Sequence, residues 1–274
     1  MYLDESNESN KIITLTTDFG LRDPYVAEIK AIILGISPNS KIVDISHGIE
    51  KFNLTMAGYT LAAASPYFPK GTIHVAVIDP GVGTSRKAIL VHTENSYYIG
   101  PDNGALILAA KAQRIRHTYR IENPKFMLSR ISSTFHGRDI FAPAAAHLAN
   151  GIPAEEFGPE TTEIVKPRFA EITKINGELI GEVIHIDDFG NIITNLREKE
   201  LRLIGINRTI RIDLADTNLQ LQLFEAYAEA DSQEPFAIIG SHNFLEISID
   251  QGNAAKRIQA RVGDKITLFR NEKP

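Results

Sequence analysis

Two rhythms of apolar and polar positions divide this chain. From residue 11 to about residue 150, strand-like and helix-like runs alternate. Residues 12–16 read as a strand. Val26, Ile29, Ile33 and Ile36 fall on one face of a helix predicted over 25–36. Residues 42–45 are strand-like, and 54–64 are helical, stopped by Ser65-Pro66. A further strand covers 73–78. The runs 89–92 and 97–99 flank Glu94-Asn95-Ser96 and predict a hairpin. Residues 140–149 predict a helix stopped by Asn150-Gly151. This alternation predicts an α/β domain, a sheet with helices on both faces.

From about residue 176 the rhythm changes. Asn176-Gly177 is a turn signal, and short β-rich runs follow at 179–186, 192–195, 209–214, 236–239, 245–249 and 265–269. They predict an all-β, barrel-like or sandwich domain. The stretch 151–174, with Pro153, Pro159 and Pro167, reads as a linker. Residues 1–10 are polar and acidic, without the apolar core of a secretory signal, and read as a loose tail. The expected organisation is a tail over 1–10, an α/β catalytic domain with its linker over 11–174, and a β-barrel-like domain over 175–274. The default place for a ligand is a cleft between the two domains.

Composition narrows the classes. Hydrophobic residues make up 43% of the 274, enough for a substantial core. The net charge of −5 is spread rather than blocked, which favours neither nucleic acid nor an anionic membrane as partner. No apolar run is long enough to span a bilayer. The chain has no cysteine, so disulfide and thiolate chemistry are excluded, and a reducing, cytoplasmic setting is compatible. There is no G-x-G-x-x-G and no Walker A motif, so phosphate cradling has no support. The histidines lack zinc-type spacing, and no metal is expected.

Candidate chemistry sits where apolar runs end. The strand at 73–78 stops at Asp79, followed by a Pro-Gly-Val-Gly bend and Arg86. Ligands of open α/β sheets bind at such strand ends. Asp79 and Arg86 either face each other over a pocket or tie the turn with an ion pair. The first strand ends in Thr16-Thr17-Asp18-Phe19-Gly20, and Asp18 either accepts bonds from a ribose diol or caps the next helix. His136 lies in Phe135-His136-Gly137-Arg138-Asp139, at a predicted helix N-terminus that disfavours its protonation. In the β-rich half, Asp187-Asp188-Phe189-Gly190-Asn191 offers carboxylates, an aromatic face for a base and an amide for its edge; it is also an ordinary turn composition. Gly240-Ser241-His242-Asn243-Phe244-Leu245-Glu246 runs from a polar turn into a strand, where Ser241 and Glu246 could bond a ligand.

In order, the segments TTDFG, IDPGVGTSR, FHGRDIFAP, DDFGNIITN and GSHNFLEIS resemble the S-adenosylmethionine (SAM) hydroxide adenosyltransferase family, the SAM hydrolases, which are related to the SAM-dependent fluorinase and chlorinase. His47-Gly48-Ile49, Tyr67-Phe68-Pro69 and Gly100-Pro101-Asp102-Asn103-Gly104 belong to the same pattern, and the resemblance covers residues 11–270. It implies an α/β domain followed by a β-barrel, a homotrimer with sites at subunit interfaces, and hydrolysis of SAM to adenosine and methionine with no cofactor. It places the catalytic set on Asp79, Arg86 and His136. Adenosine contacts fall on Asp18, Asp79, Asn191, Ser241, Glu246 and the backbone of Ile249, with Asp187 or Asp188 and Phe189 beside the ligand. At Asp250 the chain departs from the pattern, which tends to carry Asn.

The chemistry is simple to state. A sulfonium is a good leaving group from ribose C5′, so the task is to hold a nucleophile in line. Water needs a cation to favour hydroxide character and an acceptor for its proton. Arg86 can hold the water and lower its pKa, but it stays protonated and cannot be that acceptor. Either His136 or Asp79 can. The alternatives are a SAM-dependent halogenase, for which a carboxylate and an imidazole are poor company for a dehydrated halide, and a SAM or adenosine sensor that binds without turnover.

Overall fold

Strand β1 (Ile12–Thr17) shows how the first part of the chain is built. Ile13 and Leu15 point to one face of a sheet, and Thr14 and Thr16 to the other, all buried. The computed structural model describes residues 11–206, 208–230 and 233–270; the predicted tail at 1–10 lies outside the described residues. Cα packing divides the chain into two units, 1–166 and 167–274.

The first unit is a mixed sheet. Its strands are β1, β2 (Lys41–Ser46), β3 (Ile73–Val77), β4 (Ala88–Thr93), β5 (Tyr97–Pro101) and β6 (Ile115–Arg120), in the order β2-β1-β3-β5-β4-β6. β2, β1, β3 and β5 are parallel, with Ile13 opposite Ile73. β4 runs antiparallel between β5 and β6. The helices are α1 (Tyr25–Ile36), α2 (Leu54–Ala64), α3 (Ile107–Ala112) and α4 (Ala142–Ala149). The chain goes from β1 out to β2, then back past β1 to β3. Because parallel crossovers are right-handed, α1 and α2 must cover opposite faces.

One face packs Ile13, Leu15, Val75 and Val77 against Ile29 and Ile33 of α1 and the alanines of α4. The other is more polar. There the Thr14 hydroxyl lies 2.8 Å from His74 Nδ1, His74 stacks on Tyr98, and the Tyr98 hydroxyl donates to Ser65 Oγ at 3.0 Å. Burial holds His74 far below the ordinary histidine range, at about 3, so it is neutral.

The predicted helix at 140–149 divides in two. Residues Gly137–Phe141 form a π turn, closed by the Ala142 N–H on the Gly137 carbonyl, and regular α4 starts only at Ala142. In the stretch read as a linker, Ala154–Phe157 form a 3₁₀ turn whose Phe157 ring is fully buried in the core of the first unit.

The second unit is a closed barrel of seven strands. Its strands are β8 (Glu178–Ile186), β9 (Ile192–Thr194), β10 (Thr209–Leu214), β11 (Thr217–Phe224), β12 (Phe236–Ile239), β13 (Leu245–Ser248) and β14 (Lys265–Phe269), and pairing of β14 with β8 closes it. A short β7 (Thr173–Ile175) adds to β8 through the Asn176-Gly177 turn, both residues with positive φ, as this hairpin class requires. Helices α5 (Glu198–Leu203) and α6 (Ala254–Ile258) contribute Leu201 and Ile258 to the barrel's apolar core. β11 alternates Leu219, Leu221 and Leu223 with Asn218, Gln220 and Gln222, a strand signal that the sequence reading left unused.

Candidate functional site

The order β2-β1-β3-β5 contains a switch point. After β1 the chain leaves toward β2, and after β3 it leaves toward β4 and β5, so the loops part and open a crevice between the two strand ends. Asp18 follows β1, and Asp79 follows β3 by two residues. A pocket of about 570 Å³ lies here, lined by Asp18, Asp79, His136, Phe52, Phe135 and Arg138 among others.

The bend after Asp79 folds Arg86 back onto it. Arg86 Nε lies 3.0 Å from each carboxylate oxygen, and Nη2 donates to Oδ2 at 2.5 Å. The same Nη2 lies 2.6 Å from His136 Nδ1. The ion-pair reading of Asp79 and Arg86 is the one realised: Asp79 lines the pocket, whereas Arg86 bonds it directly and is not among the lining residues. The guanidinium also lies over the Phe141 ring, 5.3 Å from its centroid. The bend fits only with glycine at position 83. Its φ is +76°, and a Cβ there would stand 2.2 Å from the Ser133 carbonyl oxygen, so the bend packs directly on the segment that carries His136.

A guanidinium can only donate, so His136 Nδ1 must accept and the ring proton sits on Nε2. Burial first, then the Arg86 charge, lowers the His136 pKa, which agrees with a neutral ring. The sequence predicts the same direction from a helix N-terminus; the larger cause is burial. Asp139 secures the loop: its buried carboxylate accepts the Ser132 N–H at 2.7 Å and Arg138 Nε at 2.7 Å.

Asp18 does not cap the following helix, which starts at Tyr25 behind Pro24. Its Oδ2 accepts the Phe52 N–H at 2.9 Å, and Lys51 Nζ donates to its backbone carbonyl.

The barrel unit carries a second group. Asp187 Oδ1 accepts the N–H groups of Phe189 (3.0 Å) and Asn191 (2.9 Å), and Oδ2 accepts Asn191 Nδ2 at 2.8 Å. Asp187 therefore shapes its own turn, and Asp188 and Phe189 stand exposed. Asn191, Glu246 and Ile249 are buried, and Ser241 is exposed. Glu246 packs against Gly240, where a Cβ would fall 1.8 Å from its Oε1. Tyr227, which the sequence reading did not single out, donates to Glu246 Oε2 at 3.4 Å, and its hydroxyl is 3.5 Å from Ser248 Oγ. Nothing in the sequence marks this tyrosine; it opens a 3₁₀ turn after β11 and lies against the Phe236 ring of β12, within reach of Glu246 on β13.

Burial, reinforced by the nearby Asp187 charge, pushes the Glu246 pKa up to about 7. A carboxyl raised in the folded state stabilises the fold at low pH, and that contribution is lost as pH rises through its folded value. Glu246→Gln removes the titration. The melting temperature of this variant relative to wild type should therefore rise between pH 5 and pH 8. A difference that stays flat over that range in thermal melts contradicts the assignment.

Among the described residues, no group of three or more His, Asp or Glu side chains is arranged to hold a metal ion, and no helix is long and apolar enough to cross a membrane. Fold and site together define an α/β-plus-barrel protein with a carboxylate–guanidinium–imidazole constellation at a sheet switch point. The SAM hydroxide adenosyltransferase N-terminal domain matches residues 13–158 and the C-terminal domain of the same family matches residues 181–267. The chain belongs to the SAM hydroxide adenosyltransferase family. It is 38% identical to the (R)-S-adenosyl-L-methionine hydrolase of Methanocaldococcus jannaschii, covering 94% of this chain and 95% of that one. A Fluorinase from Actinoplanes sp. is 26% identical, covering 94% and 97%. The crystal structure of an uncharacterized conserved protein from Thermotoga maritima superposes with a TM-score of 0.82 at 36% identity, covering 94% of this chain and all of that one.

Proposed function

We propose that this protein hydrolyses SAM to adenosine and methionine, with water attacking ribose C5′ in line with the C5′–S bond. The observation that carries the reading is Arg86 bridging Asp79 and His136 at the sheet switch point. Relatives between 31% and 38% identical that bear the hydrolase name support it, whereas the Fluorinases stand at 26%.

In this reading Asp18 accepts hydrogen bonds from the ribose diol with the oxygen that Phe52 leaves open. Asn191, Ser241, Glu246 and the Ile249 backbone serve adenosine, and Asp187, Asp188 and Phe189 border it. The active unit is a homotrimer in the cytoplasm, with sites completed between subunits, and no cofactor takes part. The neutral His136 offers Nε2–H to the water oxygen and orients it. Asp79 is the remaining anionic acceptor and takes one water proton as the O–C5′ bond forms. The C5′–S electron pair leaves with sulfur, giving neutral methionine, and Asp79 passes the proton to solvent. Arg86 does not line the pocket, so its part is to hold acceptor and orienter in one geometry rather than to bind the water itself.

Incubation with SAM in ¹⁸O-labelled water tests this. Labelled adenosine and unlabelled methionine, seen by mass spectrometry from the first turnover, are expected. Intact SAM after prolonged incubation would leave a binding protein. A 5′-halogenated nucleoside formed on adding chloride or fluoride would make the protein a halogenase.

A further inference from the structure

Phe52 is an anomaly. It is a large apolar side chain, 64% exposed, on a backbone with φ +64°, the left-handed region that disfavours any residue with a Cβ. Its backbone duty is the N–H donated to Asp18. Glycine would perform that duty without strain, and a polar residue would suit the exposure. An outlier of this kind at a pocket rim points to the side chain itself. The turn around it is firmly held: the Asn53 N–H bonds the Glu50 carbonyl at 3.0 Å, the Asn53 side chain caps α2 through the Met56 N–H at 2.9 Å, and Lys51 is tied to Asp18.

Phe52 lines the pocket that contains Asp18, Asp79 and His136. Its surroundings there are aromatic and charged: Asp18, Asp79 and Glu28 stand beside Lys51 and Arg138, with Glu28 paired to Arg138 at 2.8 Å, so Asp18 and Asp79 are the carboxylates not paired to Arg138. Phe19, Tyr25 and Phe135 line the same pocket with ring centroids 5.2–5.7 Å apart, alongside Glu28. Aromatic faces and carboxylates together are the chemistry that recognises a cation lacking hydrogen-bond donors, as in aromatic cages for quaternary ammonium groups. A sulfonium is such a cation. It has no N–H to offer, so a ring face is the group that can read its charge. Since Asp18 receives the Phe52 N–H, a ribose held by Asp18 brings its 5′ substituent close to the same turn.

We propose that Phe52 is a specificity-determining residue that selects the positively charged sulfonium of the substrate over neutral nucleosides and thioethers. The inference rests on the SAM reading of the site. Selectivity of this kind would let the product adenosine leave while SAM is retained.

The test is calorimetry with two ligands that differ in charge at one position. One is a non-cleavable SAM analogue with a quaternary ammonium in place of the sulfonium, a cation that likewise has no N–H to donate. The other is the neutral thioether S-adenosylhomocysteine. The wild type should prefer the cationic analogue. Phe52→Leu should weaken its binding roughly 3- to 30-fold and change thioether affinity less than about twofold, and Phe52→Tyr should restore the preference. Phe52→Gly relieves the backbone and should melt no lower than wild type while losing the preference. If Phe52→Leu keeps the wild-type ratio of the two affinities, the proposal is wrong. Equal loss for both ligands, together with a changed oligomeric state, also overturns it and makes Phe52 a subunit contact. These readouts do not need turnover. A wild type that discriminates charge but leaves SAM intact sinks the hydrolase reading alone, and a wild type that hydrolyses SAM while Phe52→Leu keeps its ratio of affinities sinks this proposal alone.

Discussion

Asp79→Asn should lower kcat for SAM hydrolysis by about 10²- to 10⁴-fold, the range expected for losing a general base. The shape of the side chain is kept, and one oxygen can still accept from Arg86. What is lost is the negative charge that receives the water proton in the proposed mechanism. His136 cannot take over in the arrangement described, because its Nδ1 is filled by the Arg86 donor and its Nε2 carries the proton. The variant leaves the Arg86 guanidinium, with only 11% of its side chain exposed, short of its counter-charge, so some loss of stability accompanies the loss of rate. Assays therefore belong well below the variant's own melting temperature, with circular dichroism confirming the fold. A folded Asp79→Asn enzyme that retains more than a tenth of wild-type kcat moves the proton to another acceptor.

Arg86→Ala should cost about 10²-fold or more in kcat, the scale of removing a preorganised electrostatic group. Arg86→Lys separates charge from geometry. The arginine fork reaches both Asp79 oxygens and His136 Nδ1 from one planar group, whereas a lysine ammonium is a point charge on a flexible stem. The lysine variant should remain at least about tenfold impaired. Nitrogen NMR of His136 gives a readout independent of rate. In the wild type the ring should be neutral with its proton on Nε2. In Arg86→Ala the acceptor at Nδ1 is released, the two tautomers mix, and the pKa rises, because one of the causes that lower it has gone. Full activity in Arg86→Lys would reduce Arg86 to a source of charge. An unchanged tautomer in Arg86→Ala would remove the bridge from the mechanism.

Much of this protein is local and therefore legible in its sequence. Ile13 and Leu15 against Thr14 and Thr16 define a strand by alternation alone. Ile29 and Ile33 define the inner face of α1 by helical spacing. Acids directly after apolar runs mark strand ends, and the five motifs together are enough for the resemblance to the family. Each of these depends on residues within a turn or a strand of one another. The division of the chain into two rhythms is also a local property, summed over many windows.

Tertiary structure decided the rest. Asp79 lies 50-odd positions from His136, and only the sheet order and the Gly83–Ser133 approach bring them onto one guanidinium. The tautomer of His136 follows from that contact and from no motif. Asp18 looked like a helix cap as much as a ligand group, and a backbone N–H from Phe52, 34 residues away, settled where its carboxylate goes. Tyr227 carried no signal because a lone loop tyrosine gains meaning only when the barrel sets it beside Glu246. Sequence specifies which groups are available and which secondary structures they prefer. Long-range packing fixes which of them meet, because hydrogen-bond geometry and burial depend on distances that neighbouring residues do not set.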